Sequence, residues 1–573
     1  MGRFSLPEGG FLELLKRHYS STHYERSEKQ LEREQWLIPG VVRFNRFFLM
    51  PAAVIIQVCC GSLYAWSGYN LPMERYILGA NNAVDRSVAA NVFYVAVAVF
   101  GVAAAFLGPW LERNGPWKGA FMGATLFFLG NLLTALGVYV HKFELVFFGY
   151  GFVGGAGLGI SYISPVSPLQ KWFPDLRGVA AGLAVCGFGA GSIFSPYTQR
   201  ALIGPDFAKT GVQNLGLPLT FVILGSCYYV LMVLAAFVLR MPPPGYTVNG
   251  IDIHTVKGAE GLNATATPRA DSEATLEVGE GKGVTKTVEV DNRTATVQPV
   301  TPAPNPFSLT LAESLASREY IMMYIMFFCA EITGLLIISK IQSIVSNQLK
   351  RDTQTAANIN SILGGCNLLG RLVIPTLSDV LKTRKPFFIL SLAAQTVFLA
   401  ILPGSIESKN YGLTLACAFI IAFFYGGGFG LIPAFLADQF GSKNVGATHG
   451  VILTAWSIGG VCGGLVFSKV YSNTLAYLTS RKAELGDDYL LTVYTIDFRW
   501  ILAFTILGFC IALFIPTNLR DRRLPKTEGE RFRFRAPNGR LVKVVNGNFV
   551  MVTQEEEDQE WEKYTQKVLA GNQ

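Results

Sequence analysis

KWFPDLRGVAAGLAVCGFGAGS, residues 171–192, decides how the rest of the chain is read. It joins one glycine-rich apolar run, FVGGAGLGISYISPVSPLQ (152–170), to a second run rich in glycine and alanine. Small residues at this density do not fill a water-soluble core. They let membrane helices approach closely and slide past one another.

Working outward, apolar tracts of about 20 residues recur along the whole chain, each long enough to span a bilayer. Half of the 573 residues are apolar and 15% are charged, against about 25% charged in soluble domains. About twelve spans are read. The first set lies near 47–68, 87–110, 117–140, 143–169, 178–197 and 217–239. The second lies near 320–345, 357–378, 386–403, 411–436, 450–470 and 500–515. An all-α membrane protein is therefore expected. All nine cysteines fall inside these tracts without CxxC spacing, so apolar packing is their expected role and no metal site or cofactor is called for. The first 45 residues are polar and mixed in charge, unlike a secretory leader. The first span is expected to serve as an uncleaved signal.

The net charge of +8 could suggest nucleic acid, but the positions of the cations argue against it. Arg113 and Lys118 lie between spans two and three, and Lys171 and Arg177 between four and five. Lys382, Arg384 and Lys385 lie between eight and nine, and Arg520, Arg522, Arg523 and Lys526 follow span twelve. All share one side if both termini are cytoplasmic, which is the positive-inside pattern. The expected organisation is a cytoplasmic tail at 1–45, a helical bundle at 46–240, a linker at 241–318, a second bundle at 319–517 and a cytoplasmic tail at 518–573. The linker opens with MPPPG and continues in Thr, Gly, Pro and acids without apolar periodicity, a composition expected to be disordered. Its sequons at Asn263 and Asn292 are expected to stay unmodified on the cytoplasmic side.

The two halves repeat each other. PWLERNGP (109–116) follows span two and PTLSDVLKTR (375–384) follows span eight. Each sets an acid, Glu112 or Asp379, at the membrane edge ahead of basic residues, Arg113 or Arg384. Spans four and ten carry GGAGLG (154–159) and GGGFG (426–430). Spans five and eleven both open on Gly-x-x-x-Gly, at Gly178/Gly182 and Gly446/Gly450. A duplicated six-helix unit marks a transporter of parallel repeats. The glycine clusters match no nucleotide-binding spacing. In the C-terminal tail, RFRFRAPNGRLVKVVNGNFVMV (531–552) alternates around Asn538-Gly539 and Asn546-Gly547. A small β-meander is expected there, then a charged helix. Contact of its arginines with a membrane surface is one reading of the tail, and a solvated appendage is the other.

Several tracts carry a resemblance. GSLYAWS (61–67), GISYISPVS (159–167), Asn367-x-x-Gly370-Arg371 with Ser378-Asp379, and Thr454-Ala455-Trp456 resemble tracts of the oxalate/formate antiporter family, monocarboxylate-transporter-like members of the major facilitator superfamily. So does the segment quoted first. The resemblance covers about residues 46–240 and 319–517, leaving out linker and tails. It implies the twelve-helix facilitator fold and movement of small carboxylates by exchange or with protons. It also implies that the acid/base loops form a cytoplasmic gating latch of Glu112, Arg113, Asp379 and Arg384, and that an arginine at the place of Arg371 contacts the substrate anion.

Charges deep in a membrane helix are costly and mark pathways. Arg371 lies about 12 Å above the edge set by Asp379, with Asn367 one turn away on the same face. A guanidinium fork matches a carboxylate. Snorkelling to headgroups is the competing reading, and the depth favours a cavity. Glu331, in FFCAEITGLLII, has three open readings: pairing with Arg371, carrying a coupled proton, or a protonated acid bonded to a neighbouring helix. The resemblance also implies a second cation in span eleven of oxalate exchangers. Here that tract reads Thr454-Ala455-Trp456, with no Lys or Arg before Lys469. One cation suits a monoanion. Tyr64, Trp66, Tyr162 and Trp456 are candidate lining residues, although each aromatic is otherwise a packing residue.

The expected function is therefore secondary active transport of a small organic anion, a monocarboxylate first, by proton coupling or exchange. The alternatives are an oxalate/formate exchanger and a carboxylate sensor without net transport. No Ser-His-acid set, metal cluster or P-loop supports an enzyme. His141 and His449 lie at span ends, where an interfacial place is expected. A monomer in the lipid of the plasma membrane, rather than an organelle membrane, completes the expectation.

Overall fold

The computed structural model describes residues 10–20, 24–79, 88–203, 216–253, 255–257, 309–482, 490–536 and 539–571. Among them are twelve helices long and apolar enough to cross a membrane. Spans 1–6 are Arg46–Ala65, Val88–Asn114, Pro116–Tyr139, Phe143–Trp172, Arg177–Ile203 and Gly216–Ala236. Spans 7–12 are Arg318–Gln348, Gln354–Val380, Lys385–Glu407, Tyr411–Phe440, Val445–Ser480 and Thr495–Phe514. Every expected tract meets one of these helices. The largest difference is span 11, expected to end near 470. Its helix runs on through Tyr471–Ser480, because helical hydrogen bonding continues past the point where apolarity fades.

The halves meet mainly through span 2 on span 11 and span 5 on span 8. The glycine pairs account for these contacts. A methyl group on Gly178 or Gly182 of span 5 would strike the carbonyls of Pro375 and Arg371 in span 8. On Gly446 or Gly450 of span 11 it would strike the Glu112 carboxylate and the Ala104 carbonyl of span 2. The two Gly-x-x-x-Gly motifs thus do the same work on opposite sides of the interface, bringing backbones together across it. Span 5 is the most enclosed helix and span 12 the least.

Both tails lie at one end, with the loops between spans 2 and 3, 4 and 5, 8 and 9, and 10 and 11. There His18 contacts the Phe106 carbonyl, Arg26 donates to the carbonyls of Met241 and Pro242, and Arg240 donates to those of Glu34 and Trp36. A short hairpin of β1 (Trp36–Ile38) and β2 (Val42–Arg43) precedes span 1. Part of the stretch expected as linker is placed. The Ile253 carbonyl accepts from the Ser442 and Lys443 amides. The Lys257 amide donates to the Asp438 carbonyl, and the Lys257 carbonyl accepts from the Leu519 amide. The prolines of MPPPG stiffen the start of this strap. At the other flank, Leu311–Ala316 is helical, closed by a Thr310–Glu313 capping box. Asn263 and Asn292 lie outside the described residues.

The C-terminal tail forms β3 (Glu530–Arg535), β4 (Leu541–Val545) and β5 (Asn548–Met551), an antiparallel meander, followed by the helix Gln554–Gly571. Asn546 and Gly547 both adopt positive φ, 52° and 87°, as the two-residue β4–β5 turn requires. Val256 of the strap, Leu519, Leu524 and Trp561 share a small apolar cluster that ties the tail to the strap.

Candidate functional site

Two sets of charged residues bridge the halves, one at the tail end and one at mid-depth. At the tail end, Asp379 closes span 8 on the first turn of span 5. Its two oxygens accept from the Gly178 amide at 2.9 Å and the Val179 amide at 2.7 Å, groups that lack an acceptor within their own helix. The carboxylate thereby meets the positive end of the helix dipole. Arg384 pairs with Asp379 at 2.6 Å and with Asp438 at 3.0 Å. Arg177 reaches Asp438 from the other half at 3.1 Å and donates to the Thr255 carbonyl of the strap.

Glu112 repeats this on the opposite side of the interface. It accepts from the Gly446 amide at 2.7 Å, at the start of span 11, and from the Ser167 hydroxyl at 2.9 Å. Its cation is Lys171, with which it forms an ion pair. Arg113, expected in the latch, turns away and donates to the backbone carbonyl and ring nitrogen of His18 in the N-terminal tail. The helix direction explains the exchange: Glu112 points into the interface, and its sequence neighbour is rotated off that face.

At mid-depth Arg371 is fully buried. Its Nε donates to Asn367 Oδ1 at 2.9 Å, and Nη1 to the Val185 carbonyl of span 5 at 3.3 Å. The guanidinium lies 4.4 Å from the Phe429 ring centroid and 5.5 Å from that of Phe188. Nη2 has no hydrogen-bond partner. Asn367 donates to the Ala422 carbonyl, which fixes the orienting oxygen toward Arg371. Around this pair, the Tyr64 and Tyr425 hydroxyls bond across the interface at 2.8 Å, and Trp456 Nε1 donates to Tyr425 at 3.2 Å. The Tyr162 ring packs edge-on to Phe188 and Phe429, and its hydroxyl has no partner.

Glu331 is also fully buried, with neither carboxylate oxygen hydrogen-bonded. It forms no ion pair with Arg371, so the direct pairing read as one option from sequence is not made in this conformation. Trp66 is not part of the cluster. Its Nε1 donates to the Ala89 carbonyl, and its ring packs on Tyr69, Tyr150 and Phe221 inside the first half. The other expected lining residues, Tyr64, Tyr162 and Trp456, converge with Arg371 and Asn367.

Two residues here escaped the sequence reading. Tyr425 links Tyr64 to Trp456. The signal available was its place directly before the glycine cluster of span 10. His449, expected at an interfacial span end, is fully buried beside Tyr162 with both ring nitrogens unpartnered. Span 11 begins at Val445 rather than near 450, which carries His449 inward by more than one turn. Among the described residues no group of three or more His, Cys, Asp or Glu is arranged to hold a metal ion.

The family model of the Major Facilitator Superfamily matches residues 36–464 and 321–553. The chain is 25% identical over 426 residues to the uncharacterized MFS-type transporter YhjX of Escherichia coli, covering 74% of this chain and 88% of that one. It is 25% identical over 438 residues to apicoplast pyruvate carrier 1 of Toxoplasma gondii, covering 70% and 71%. A shorter match of 208 residues at 24% identity, 35% of this chain and 44% of the other, is to the oxalate:formate antiporter of Oxalobacter formigenes. Among solved structures, the proton:xylose symporter XylE superposes with a TM-score of 0.53 at 13% identity, covering 82% of this chain and 96% of that one. That likeness shows the fold.

Proposed function

The chain belongs to the Major Facilitator Superfamily and is a multi-pass secondary transporter of that type, and from that premise we propose that it moves a small monocarboxylate. The observation that carries this reading is Arg371: a fully buried guanidinium on the inter-half axis, oriented by Asn367 and Val185, with one Nη left to bind. A buried donor without a partner is costly, and a carboxylate matches the fork geometry of the group. Tyr64, Tyr162, Tyr425, Phe429 and Trp456 surround the guanidinium with buried aromatic rings. The matches to a pyruvate carrier and, over a shorter stretch, to an oxalate:formate antiporter support the same class.

Glu331 is the proposed carrier of the coupled proton. It is fully buried on span 7, beside the same axis. Glu112 with Lys171, and Asp379 with Arg384, are the proposed gate, holding the tail end shut. Alternating access then consists of breaking these contacts and rocking one half against the other. Span 11 offers the site no Lys or Arg, which favours a monoanion over oxalate.

The test is uptake of labelled lactate, pyruvate, formate and oxalate into proteoliposomes of the purified chain, with and without a pH gradient. Accumulation of a monocarboxylate driven by the gradient, or its exchange for a second carboxylate, is expected. Preference for oxalate would overturn the monoanion reading, and binding without uptake would favour a sensor.

A further inference from the structure

The C-terminal meander has one wholly apolar face. The register pairs Phe532 with Val544, Phe534 with Val542, Val542 with Met551 and Val544 with Phe549. Directly paired residues share a face, so these six side chains lie together. Three basic residues of the meander, Arg533, Arg535 and Lys543, are on the other face and are paired with acids. Arg535 pairs with Asp521 at 2.8 Å and Glu557 at 2.6 Å, Lys543 with Glu560 at 2.8 Å, and Arg533 with Glu530.

The apolar face continues the surface of the membrane domain. Phe514 ends span 12 and is 60% exposed. Its ring contacts Phe532, which contacts Phe534, which contacts Phe549 on the outer strand, with centroids 6.3, 5.9 and 6.4 Å apart. Between this row and the ends of spans 8, 9 and 12 lies a cleft of about 990 Å³. Ile389, Leu513, Phe514, Phe532 and Phe534 line it, together with Lys382 and Lys385. At its mouth Val380 and Leu381 are exposed. Val380 is the last residue of span 8 and Leu381 follows it, so this side of the cleft lies at the end of a membrane-crossing helix.

We propose that this cleft binds an acidic phospholipid of the leaflet on the tail side, acyl chain along the phenylalanine row and phosphate against Lys382 and Lys385. Lys385 Nζ donates to the Leu513 carbonyl at 2.7 Å, which places the ammonium at the C-terminal end of span 12 and uses one of its three donors. A lysine pair at the membrane surface recognises anionic headgroups. The apolar wall selects a lipid over free phosphate, and the lysines select an acidic headgroup over a zwitterionic one. The site is independent of Arg371 and of the transported substrate.

Native mass spectrometry of the full-length chain, titrated with phosphatidylglycerol and with phosphatidylcholine of matched chains, tests this. Retention of phosphatidylglycerol is expected. The Lys382→Ala/Lys385→Ala pair should weaken it by about 30-fold, at roughly fivefold per lysine, with phosphatidylcholine unchanged. Equal retention by the variant, or equal binding of both lipids by the parent, would overturn the proposal. Competition by glycerol phosphate as effective as by the lipid would also overturn it, as it would mark a free phosphate site. A photo-crosslinking acyl chain on phosphatidylglycerol provides a test on the unaltered protein. It should label peptides from 380–389 and 530–551, and labelling of neither would reject the site whatever the variants do.

Discussion

The latches at the tail end and the cluster around Arg371 both consist of charges at the inter-half interface, and they differ in how completely those charges are satisfied. In the latches each acid is answered across the interface. Asp379 takes two amides of span 5 and Arg384, and Glu112 takes an amide of span 11, Ser167 and Lys171. At mid-depth Arg371 keeps one Nη, Glu331 both oxygens and Tyr162 its hydroxyl without partners, and below them His449, one turn into span 11, keeps both nitrogens. Buried polar groups are normally satisfied. On the proposed reading, the satisfied set holds the conformation it is seen in, and the unsatisfied one awaits the substrate and the proton.

The comparison breaks most directly at Arg371. Arg371→Ala removes the deep guanidinium of the cluster, and transport should fall by at least about 30-fold, since truncating one partner of a buried charged contact costs about 2–5 kcal/mol. Membrane insertion should be intact. Arg371→Lys should recover little, because an ammonium does not reproduce the planar fork. Near-parental accumulation by Arg371→Ala would move the binding group elsewhere.

The next effect lies in the latches. Asp379→Asn keeps the shape but loses the charge facing Arg384 and the span 5 terminus, a change of about 1.5–3 kcal/mol for hydrogen bonds to a charged group. The tail-closed state should lose roughly 10- to 100-fold in population. Cys186, next to Val185 at the level of Arg371 and buried here, is the reporter. In a variant retaining only this cysteine, Asp379→Asn should speed its labelling from the tail side. Glu112→Gln should do the same if the two latches are equivalent, and a response confined to one would show that the gate is asymmetric.

Glu331→Gln separates the two roles within the cluster. The amide mimics the neutral acid, so accumulation driven by a pH gradient should be lost while exchange of substrate for substrate persists. Equal survival of both modes would reduce Glu331 to a helix-packing acid. Equal loss of both would make it part of substrate binding.

The architecture was legible because its signals are repeated. Apolar tracts of bilayer length, the paired Gly-x-x-x-Gly motifs and the acids at 112 and 379 each occur twice, and each lands in an equivalent place. That Asn367 and Arg371 meet inside the bundle was legible because residues four apart share a helix face, and the structure shows the bond between them. What escaped depends on helix rotation and ends. Trp66 follows Tyr64 by two residues, which turns it about 200° around the helix and into the first half. The sequence puts His449 at a span end because apolarity begins near 450, whereas the helix begins at Val445. The strap at 241–257 escaped because most of its contacts are made through its backbone, at Met241, Pro242, Ile253, Thr255 and Lys257, which leaves little pattern in side-chain composition.

The smallest effect distinguishes the cation of the Glu112 latch. By sequence it is Arg113, by analogy with Arg384. In the structure it is Lys171, whose side chain is 8% exposed against 1% for the Glu112 carboxylate it meets. Lys171→Ala leaves Glu112 buried with only the Gly446 amide and the Ser167 hydroxyl, and a buried charge stripped of its cation is destabilised. Arg113→Ala removes contacts to His18 at the edge of the N-terminal tail, where substitutions fall within about 0.5 kcal/mol. Cys186 labelling from the tail side should therefore quicken severalfold in Lys171→Ala and stay within about twofold of the parent in Arg113→Ala. The double variant Glu112→Gln/Lys171→Ala should be no faster than Glu112→Gln alone, since once the carboxylate is gone the lysine has no gate to hold. Quicker labelling in Arg113→Ala than in Lys171→Ala would return the latch to the loop arginine and show that the Glu112–Lys171 pair is a packing contact.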